Sequence, residues 1–194
     1  SYVLALSEIA YSCASTAVVM SVHNSIVCES LLRSGTEEQK ERYLKPLARG
    51  DMIGAFALTE PHAGSDPVSQ STSAVREGDH FVLNGTKRFI TSGKNAGLVI
   101  VTAKTDEAKR HRGISAFLVE QGTPGLTVGA LEDKMGLRAS DTTDLIFEEC
   151  RIPAENRLGN EGDGFLIAMT ALDGGRIGIA ERPAMNVHSR VGIG

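Results

Sequence analysis

The residues most able to do chemistry in this chain crowd into one stretch, Ala57-Leu58-Thr59-Glu60-Pro61-His62-Ala63-Gly64-Ser65-Asp66-Pro67-Val68-Ser69. Thr59 and Ser65 carry hydroxyls, and the small residues of Gly64-Ser65-Asp66 allow a ligand to come close to the main chain. Residues 53–58 are apolar and short enough for a core strand, and Pro61 donates no N–H, so the chain must leave the sheet there. This looks like a ligand-binding turn; the plainer reading is an ordinary turn at the protein surface. Asp173 and Arg176 lie three apart on a predicted helix and share a face, where they would either bracket the polar arm of a ligand or form a surface ion pair. Lys134 and Arg138 sit in a Gly-containing turn and read as solvated charges. His62 and His80 have no companions of the kind that activate a nucleophile.

Several elements must position these groups. Apolar residues at Leu6, Ile9, Ala10, Cys13, Ala14, Ala17 and Val18 recur at helical spacing and predict a helix over 3–20, with another over 21–32. Thr36-Glu37-Glu38-Gln39 has the form of a capping box, followed by the apolar Tyr43 and Leu44. After Gly50-Asp51 the period drops from near 3.6 to near 2. Strands are expected over 80–83, 87–91, 98–103, 114–119, 126–131 and 144–147, with Asn84-Gly85 as a hairpin turn. A helical pattern returns from Gly162, with Phe165, Ile167, Ala168, Leu172, Ile177 and Ile179 as candidate core residues. The fold class implied is α+β: N-terminal helices (1–52), a central antiparallel β-barrel or sandwich (53–156) and the start of a C-terminal helical domain (157–194).

Bulk properties narrow the function. The chain has 194 residues, 24 acidic and 20 basic, with a formal net charge of −4, so there is no basic footprint for nucleic acid. No apolar run approaches the roughly 18 residues of a membrane span. Cys13, Cys28 and Cys150 are odd in number and lack zinc-like spacing, which suits reduced thiols in a soluble protein. The sequence opens Ser1-Tyr2-Val3, without methionine or a signal-peptide pattern, and reads as beginning inside a helix.

The stretch 57–69 resembles the pattern that marks acyl-CoA dehydrogenases, and the resemblance extends along nearly the whole chain. It includes Leu83-Asn84-Gly85-Thr86-Lys87, Phe89-Ile90-Thr91, Gly113-Ile114-Ser115-Ala116-Phe117, Glu132-Asp133-Lys134-Met135-Gly136 and Leu172-Asp173-Gly174-Gly175-Arg176. Cys13-Ala14-Ser15-Thr16 and the run from Ile146 to Pro153 are most similar to the short-chain, butyryl-CoA branch. The resemblance implies an FAD-dependent enzyme that forms an α,β double bond in a short acyl-CoA thioester and passes electrons to an electron-transferring flavoprotein. It implies a homo-oligomer, mitochondrial matrix if eukaryotic and cytoplasmic if bacterial, that needs neither nucleic acid nor membrane. Phe56, Leu58, Thr59, Gly64, Ser65, Phe89, Ile90 and Thr91 would hold FAD; Ser65, Asp173 and Arg176 would touch the CoA arm. Phe89 stands where many members carry Trp, and would cover a flavin face with less area and no indole N–H.

The resemblance also implies what is missing. Family members use a glutamate base, most often from the C-terminal helices; in branches with an earlier base, that acid aligns with Gly175, so the base is expected beyond Gly194. Glu181, the only later carboxylate, falls at a position the family does not use. Glu181-Arg182-Pro183 is expected to interrupt the final helix. Two other readings remain open: a catalytically incomplete FAD and acyl-CoA binding or assembly module, and an acyl-CoA oxidase-like flavoenzyme. Residues 165–179 are expected to leave apolar surface exposed.

Overall fold

The computed structural model describes the backbone of residues 2–188 and the side chains of residues 2–176. Helix α1 (Tyr2–Ser12) stops at Cys13, whose extended backbone (φ −151°) breaks the continuous helix expected over 3–20. Helix α2 (Ala14–Val22) then runs through a π-helical stretch, His23–Cys28, into α3 (Glu29–Ser34). The capping box forms as read: Thr36 Oγ1 accepts the Gln39 N–H at 3.2 Å, and Gln39 Oε1 accepts the Thr36 N–H at 3.1 Å. It opens α4 (Glu37–Gln39), which passes through a second π stretch, Lys40–Leu44, into α5 (Lys45–Arg49). Gln39 Nε2 also donates to the carbonyls of Glu155 and Arg157 at 2.8 and 2.9 Å, tying this helical hairpin to the far end of the sheet region.

The strands are β1 (Gly54–Ala57), β2 (Ser73–Glu77), β3 (His80–Thr91), β4 (Leu98–Lys104), β5 (Ile114–Glu120), β6 (Leu126–Leu131), β7 (Thr142–Pro153) and β8 (Arg157–Leu158). They form one sheet in the order β6-β7-β3-β2-β4-β5-β8, with β1 added to β4. The sheet is not closed, which corrects the expected barrel, and it is not purely antiparallel, because β1 and β2 both pair with β4 in parallel. The final helix, α6 (Gly164–His188), runs through Pro183, so the expected interruption there is not seen. A single proline removes one intrahelical hydrogen bond and can be carried by its neighbours. Ile177, Ile179 and Glu181 fall outside the described side chains, and Gly192-Ile193-Gly194 outside the described residues.

Alternation along β4 explains the layering. Val99, Val101 and Ala103 enter a core inside the curved sheet with Phe81, Leu83, Phe117 and Phe147, while Leu98 and Ile100 face a second core shared with Val27, Leu31, Tyr43, Leu47 and Ile167 of the helices. Burial on both faces is why this strand reads as a nearly unbroken apolar run. The Asn84-Gly85 pair is not a hairpin turn. β3 passes straight through it, the hairpin being made instead by Gly78-Asp79 between β2 and β3, and the pairing with β7 shifts register between Leu83 and Gly85. Asn84 seals this bulge by donating to Glu149 Oε1 and accepting the Glu149 N–H, both at 2.8 Å. Gly85 is required because its φ is +148° and a Cβ there would lie 2.5 Å from Thr72 Oγ1.

His23 joins helices to sheet. Its Nδ1 accepts the Gly54 N–H at 3.1 Å, so Nε2 is the nitrogen that donates to the Leu47 carbonyl at 3.0 Å. The start of β1 is thereby anchored to two helical segments. At the other end, β1 runs out toward the stretch singled out in the sequence.

Candidate functional site

The end of β1 and the end of β3 lie side by side. Arg88 N–H donates to the Thr59 carbonyl at 2.7 Å, holding the two segments together beyond the last paired residues of β1. Glu60 and Ala63 exchange backbone hydrogen bonds of 3.0 and 3.1 Å, which closes the Pro61-His62 turn and reverses the chain. Asp66 then accepts from the Val68 N–H at 3.1 Å and from Ser69 Oγ at 2.5 Å, starting a single helical turn at Pro67. The Ser69 hydroxyl and the neighbouring N–H groups hold the Asp66 carboxyl below its usual range. These turns leave Gly64 and Ser65 exposed, and a Cβ at Gly64 would meet no protein atom within 4 Å.

A groove of about 360 Å³ runs between this sheet edge and the helices. All eight residues expected to hold a cofactor line it: Phe56, Leu58, Thr59, Gly64 and Ser65 from the first segment, and Phe89, Ile90 and Thr91 from the second. Pro67 beside them, Val22 and Ile26 of the N-terminal helices, and Met169, Leu172 and Arg176 of α6 complete the lining, and the sequence reading had not placed Val22, Ile26, Met169 or Leu172 there. Asp173 is not part of the lining. Its carboxylate instead accepts from Arg176 Nη1 at 2.8 Å, with both side chains largely exposed.

Phe89 is unusual in two respects. It has φ +58°, a region a bulky residue seldom occupies, and it is 55% exposed with Arg88 stacked 4.9 Å from its ring centre. A strained aromatic turned to the rim of a polar-edged groove is the kind of outlier found at ligand sites. It coincides with a register shift between Lys87 and Ile90 against β7, so the bulge re-aims the ring.

Behind the groove lies an ion pair that sequence reasoning treated only as part of a motif. Lys87 and Glu60 side chains are 0% and 2% exposed, with Nζ to Oε1 at 2.8 Å. Lys87 Nζ also donates to the Leu58 carbonyl at 3.0 Å and to Gln70 Oε1 at 2.9 Å. Glu60 Oε2 accepts from the N–H and hydroxyl of Ser71 at 2.5 and 2.8 Å, and Oε1 from the Thr72 N–H at 3.0 Å. Burial works to raise the Glu60 carboxyl, but the Lys87 charge and these donors outweigh it and bring it to about 2. Burial draws Lys87 down to about 8 against the pull of Glu60, so the ammonium persists at neutral pH. The available signal was a lysine inside an expected strand and a glutamate just after another.

Of the remaining candidates, Lys134 turns inward to the Ser140 carbonyl and Thr142 Oγ1, and Arg138 to the Lys134 carbonyl. The His80 ring pairs with its neighbour Asp79 at 2.5 Å, and His62 is exposed. No group of three or more His, Cys, Asp or Glu suited to a metal occurs among the described residues. No described helix is long and apolar enough to cross a membrane.

Comparison with known proteins places this groove in context. The acyl-CoA dehydrogenase N-terminal domain matches residues 1–51 and the acyl-CoA dehydrogenase middle domain matches residues 55–150. The short-chain specific acyl-CoA dehydrogenase of Rattus norvegicus mitochondria is 54% identical over 93% of this chain and 44% of its own length. Butyryl-CoA dehydrogenase from Megasphaera elsdenii superposes with a TM-score of 0.92 at 49% identity, over 93% of this chain and 48% of that one. A glutaryl-CoA dehydrogenase from Mycobacterium smegmatis, solved in complex with FADH2, gives 0.86 at 40% identity over 93% and 45%. The chain thus spans about half the length of the curated relatives it matches. With the groove, its two lining segments and these matches together, the chain belongs to the acyl-CoA dehydrogenase family.

Proposed function

We propose that the protein is an FAD-dependent acyl-CoA dehydrogenase acting on short-chain acyl-CoA thioesters, and that this chain supplies the flavin-facing half of its site. One observation carries the reading: both expected flavin-contacting segments converge on a single groove, although Thr59 and Phe89 are far apart in sequence. The residues fit the group. The Thr59 and Thr91 hydroxyls and a strand-end backbone line one side, apolar Val22, Ile26, Met169 and Leu172 the other, and the Phe89 ring, stacked by Arg88, is still 55% exposed.

Bound FAD would accept a hydride from the β-carbon of the acyl group. Thr59 and Thr91 would offer hydroxyls to its polar edge, Phe89 would cover a ring face, and Ser65 with Arg176 would meet the CoA arm, with Asp173 orienting the guanidinium. None of the described groove residues is a carboxylate, so the binding and proton-abstracting roles are divided, and the base is to be sought outside residues 2–176. The same observation favours a second reading for this stretch in isolation, a module that binds FAD and acyl-CoA without dehydrogenating. We assign 1–52 and 157–194 to helical domains around a flavin-binding domain, 53–156, in a homo-oligomer that hands electrons to an electron-transferring flavoprotein, in the mitochondrial matrix of a eukaryote or the cytoplasm of a bacterium. The test is to purify the full-length gene product, look for retained FAD, and assay butyryl-CoA oxidation with an artificial electron acceptor. Purification without flavin, and failure to bind added FAD, would overturn the proposal. Oxygen serving as the efficient acceptor would select the oxidase.

A further inference from the structure

We infer that Lys87 is a positioning residue that aims and polarises the Thr59 amide toward the groove, with Glu60 holding the ammonium in place; this rests on the flavin reading above. The geometry is that of one peptide unit. Lys87 Nζ lies 3.0 Å from the Leu58 carbonyl oxygen on the buried side of the segment. The chain has no cis peptide bonds, so the Thr59 N–H of the same planar unit points away from that oxygen. Thr59 lines the groove, and among the described residues its N–H has no protein acceptor. A cation on the carbonyl end of an amide draws electron density through the conjugated unit and makes its N–H a stronger donor. The neighbouring carbonyl, that of Thr59, is occupied by the Arg88 N–H, so the segment cannot rotate to reverse the unit.

The rest of the network serves this placement. The ammonium has three protons, and Leu58, Glu60 and Gln70 lie within 3.0 Å to accept them, with Thr102 Oγ1 more distant at 3.4 Å. Thr102 Oγ1 donates to the same Gln70 oxygen at 2.9 Å, fixing the amide orientation. Gln70 Nε2 is consequently buried without an acceptor, a penalty the fold tolerates to keep the oxygen on Lys87. A hydrophobic pair would fill the same space without that penalty, and buried ion pairs are often replaceable for stability alone. What a hydrophobic pair cannot do is charge the back of the Leu58-Thr59 peptide. The consequence is a stronger donor for whichever state of the bound ring is richer in electrons, and so a higher flavin potential.

The experiment compares the full-length gene product with two variants, after wild-type FAD binding has been established; absence of binding there sinks the flavin reading itself, not this inference. Lys87→Met/Glu60→Gln removes both charges and leaves no buried ion unpaired. It is expected to fold by circular dichroism and gel filtration, to retain FAD, and to favour reduced over oxidised flavin about tenfold less, a midpoint about 30 mV more negative for a two-electron couple. Glu60→Gln keeps an acceptor for the ammonium and removes the opposing charge. Burial disfavours the ammonium once Glu60 no longer supports it, so the midpoint of Glu60→Gln is expected to move the other way at low pH, where Lys87 keeps its proton, and to fall toward that of the double variant as the pH rises. An unchanged midpoint in a folded double variant, or a Glu60→Gln midpoint that shows no such pH-dependent difference from the double variant, overturns the inference. Failure of both variants to fold also overturns it, since the pair would then be structural.

Discussion

Two ion pairs flank the groove with the same contact distance, 2.8 Å, and have little else in common. Lys87 and Glu60, behind the sheet wall, are sealed from water, with every proton of the ammonium committed. Asp173 and Arg176, on the helix wall, are 70% and 77% exposed and, among the described residues, hydrogen-bond to each other. Distance therefore says almost nothing about what a charge pair does. In water the exposed pair is screened and leaves Arg176 free to trade its partner for a ligand. In the interior neither member can be lost without stranding the other, so the buried pair defines the shape of the segment it touches.

Substitution of one buried partner should have the largest effect. Lys87→Met strands the Glu60 carboxylate and is expected to lower unfolding free energy by about 3–5 kcal/mol in a denaturant titration, with much of it recovered in Lys87→Met/Glu60→Gln. A loss below about 1 kcal/mol would erase the distinction between the two walls.

Acid should expose the same pair without mutation. The Glu60 carboxyl lies at about 2 in the folded chain against an ordinary value of 4.5. Its folded value is depressed, so its contribution is complete above about pH 4.5 and drains away as the pH falls toward 2. The expected loss is roughly 2–3 kcal/mol. Denaturation midpoints at pH 6 and pH 3 check this, and the double variant should lack that part of the acid sensitivity.

Phe89 sharpens the comparison from the rim of the groove. Its ring is exposed and its backbone strained, so Phe89→Ala should change stability by less than about 1 kcal/mol while weakening FAD binding about tenfold by titration. Equal losses in both would make the ring a packing residue. The smallest effect is expected at Arg176→Ala, within about 0.5 kcal/mol of wild type in stability. Its readout is acyl-CoA affinity, expected to fall about fivefold.

Much of the fold was readable because local rules and tertiary context agree. The capping box at Thr36 forms from four consecutive residues, and β4 and β5 follow apolar patterns that any core would reward. Asn84-Gly85 was misread for the opposite reason. A hairpin turn and a bulge require the same left-handed tolerance, and the choice was made by Thr72 and Glu149, distant residues that press on Gly85 and hydrogen-bond Asn84. Strand number and alternation do not state which edges meet, so the reading left barrel and sandwich as alternatives, and the folded sheet is not closed.

By itself the sequence determined which hydroxyl-bearing, small and aromatic residues are present, and the resemblance linking residues 57–69 to Phe89-Ile90-Thr91. Strand and helix periods also followed from it, because side-chain direction repeats with backbone geometry. Only the tertiary structure decided that those segments share one groove, that Asp173 stays outside it, and that Lys87 and Glu60 meet behind it. The physical reason is that a charge has no intrinsic role along a chain. Its energy depends on the water it loses and the partner it gains, and both are set by residues brought close only when the sheet and helices pack.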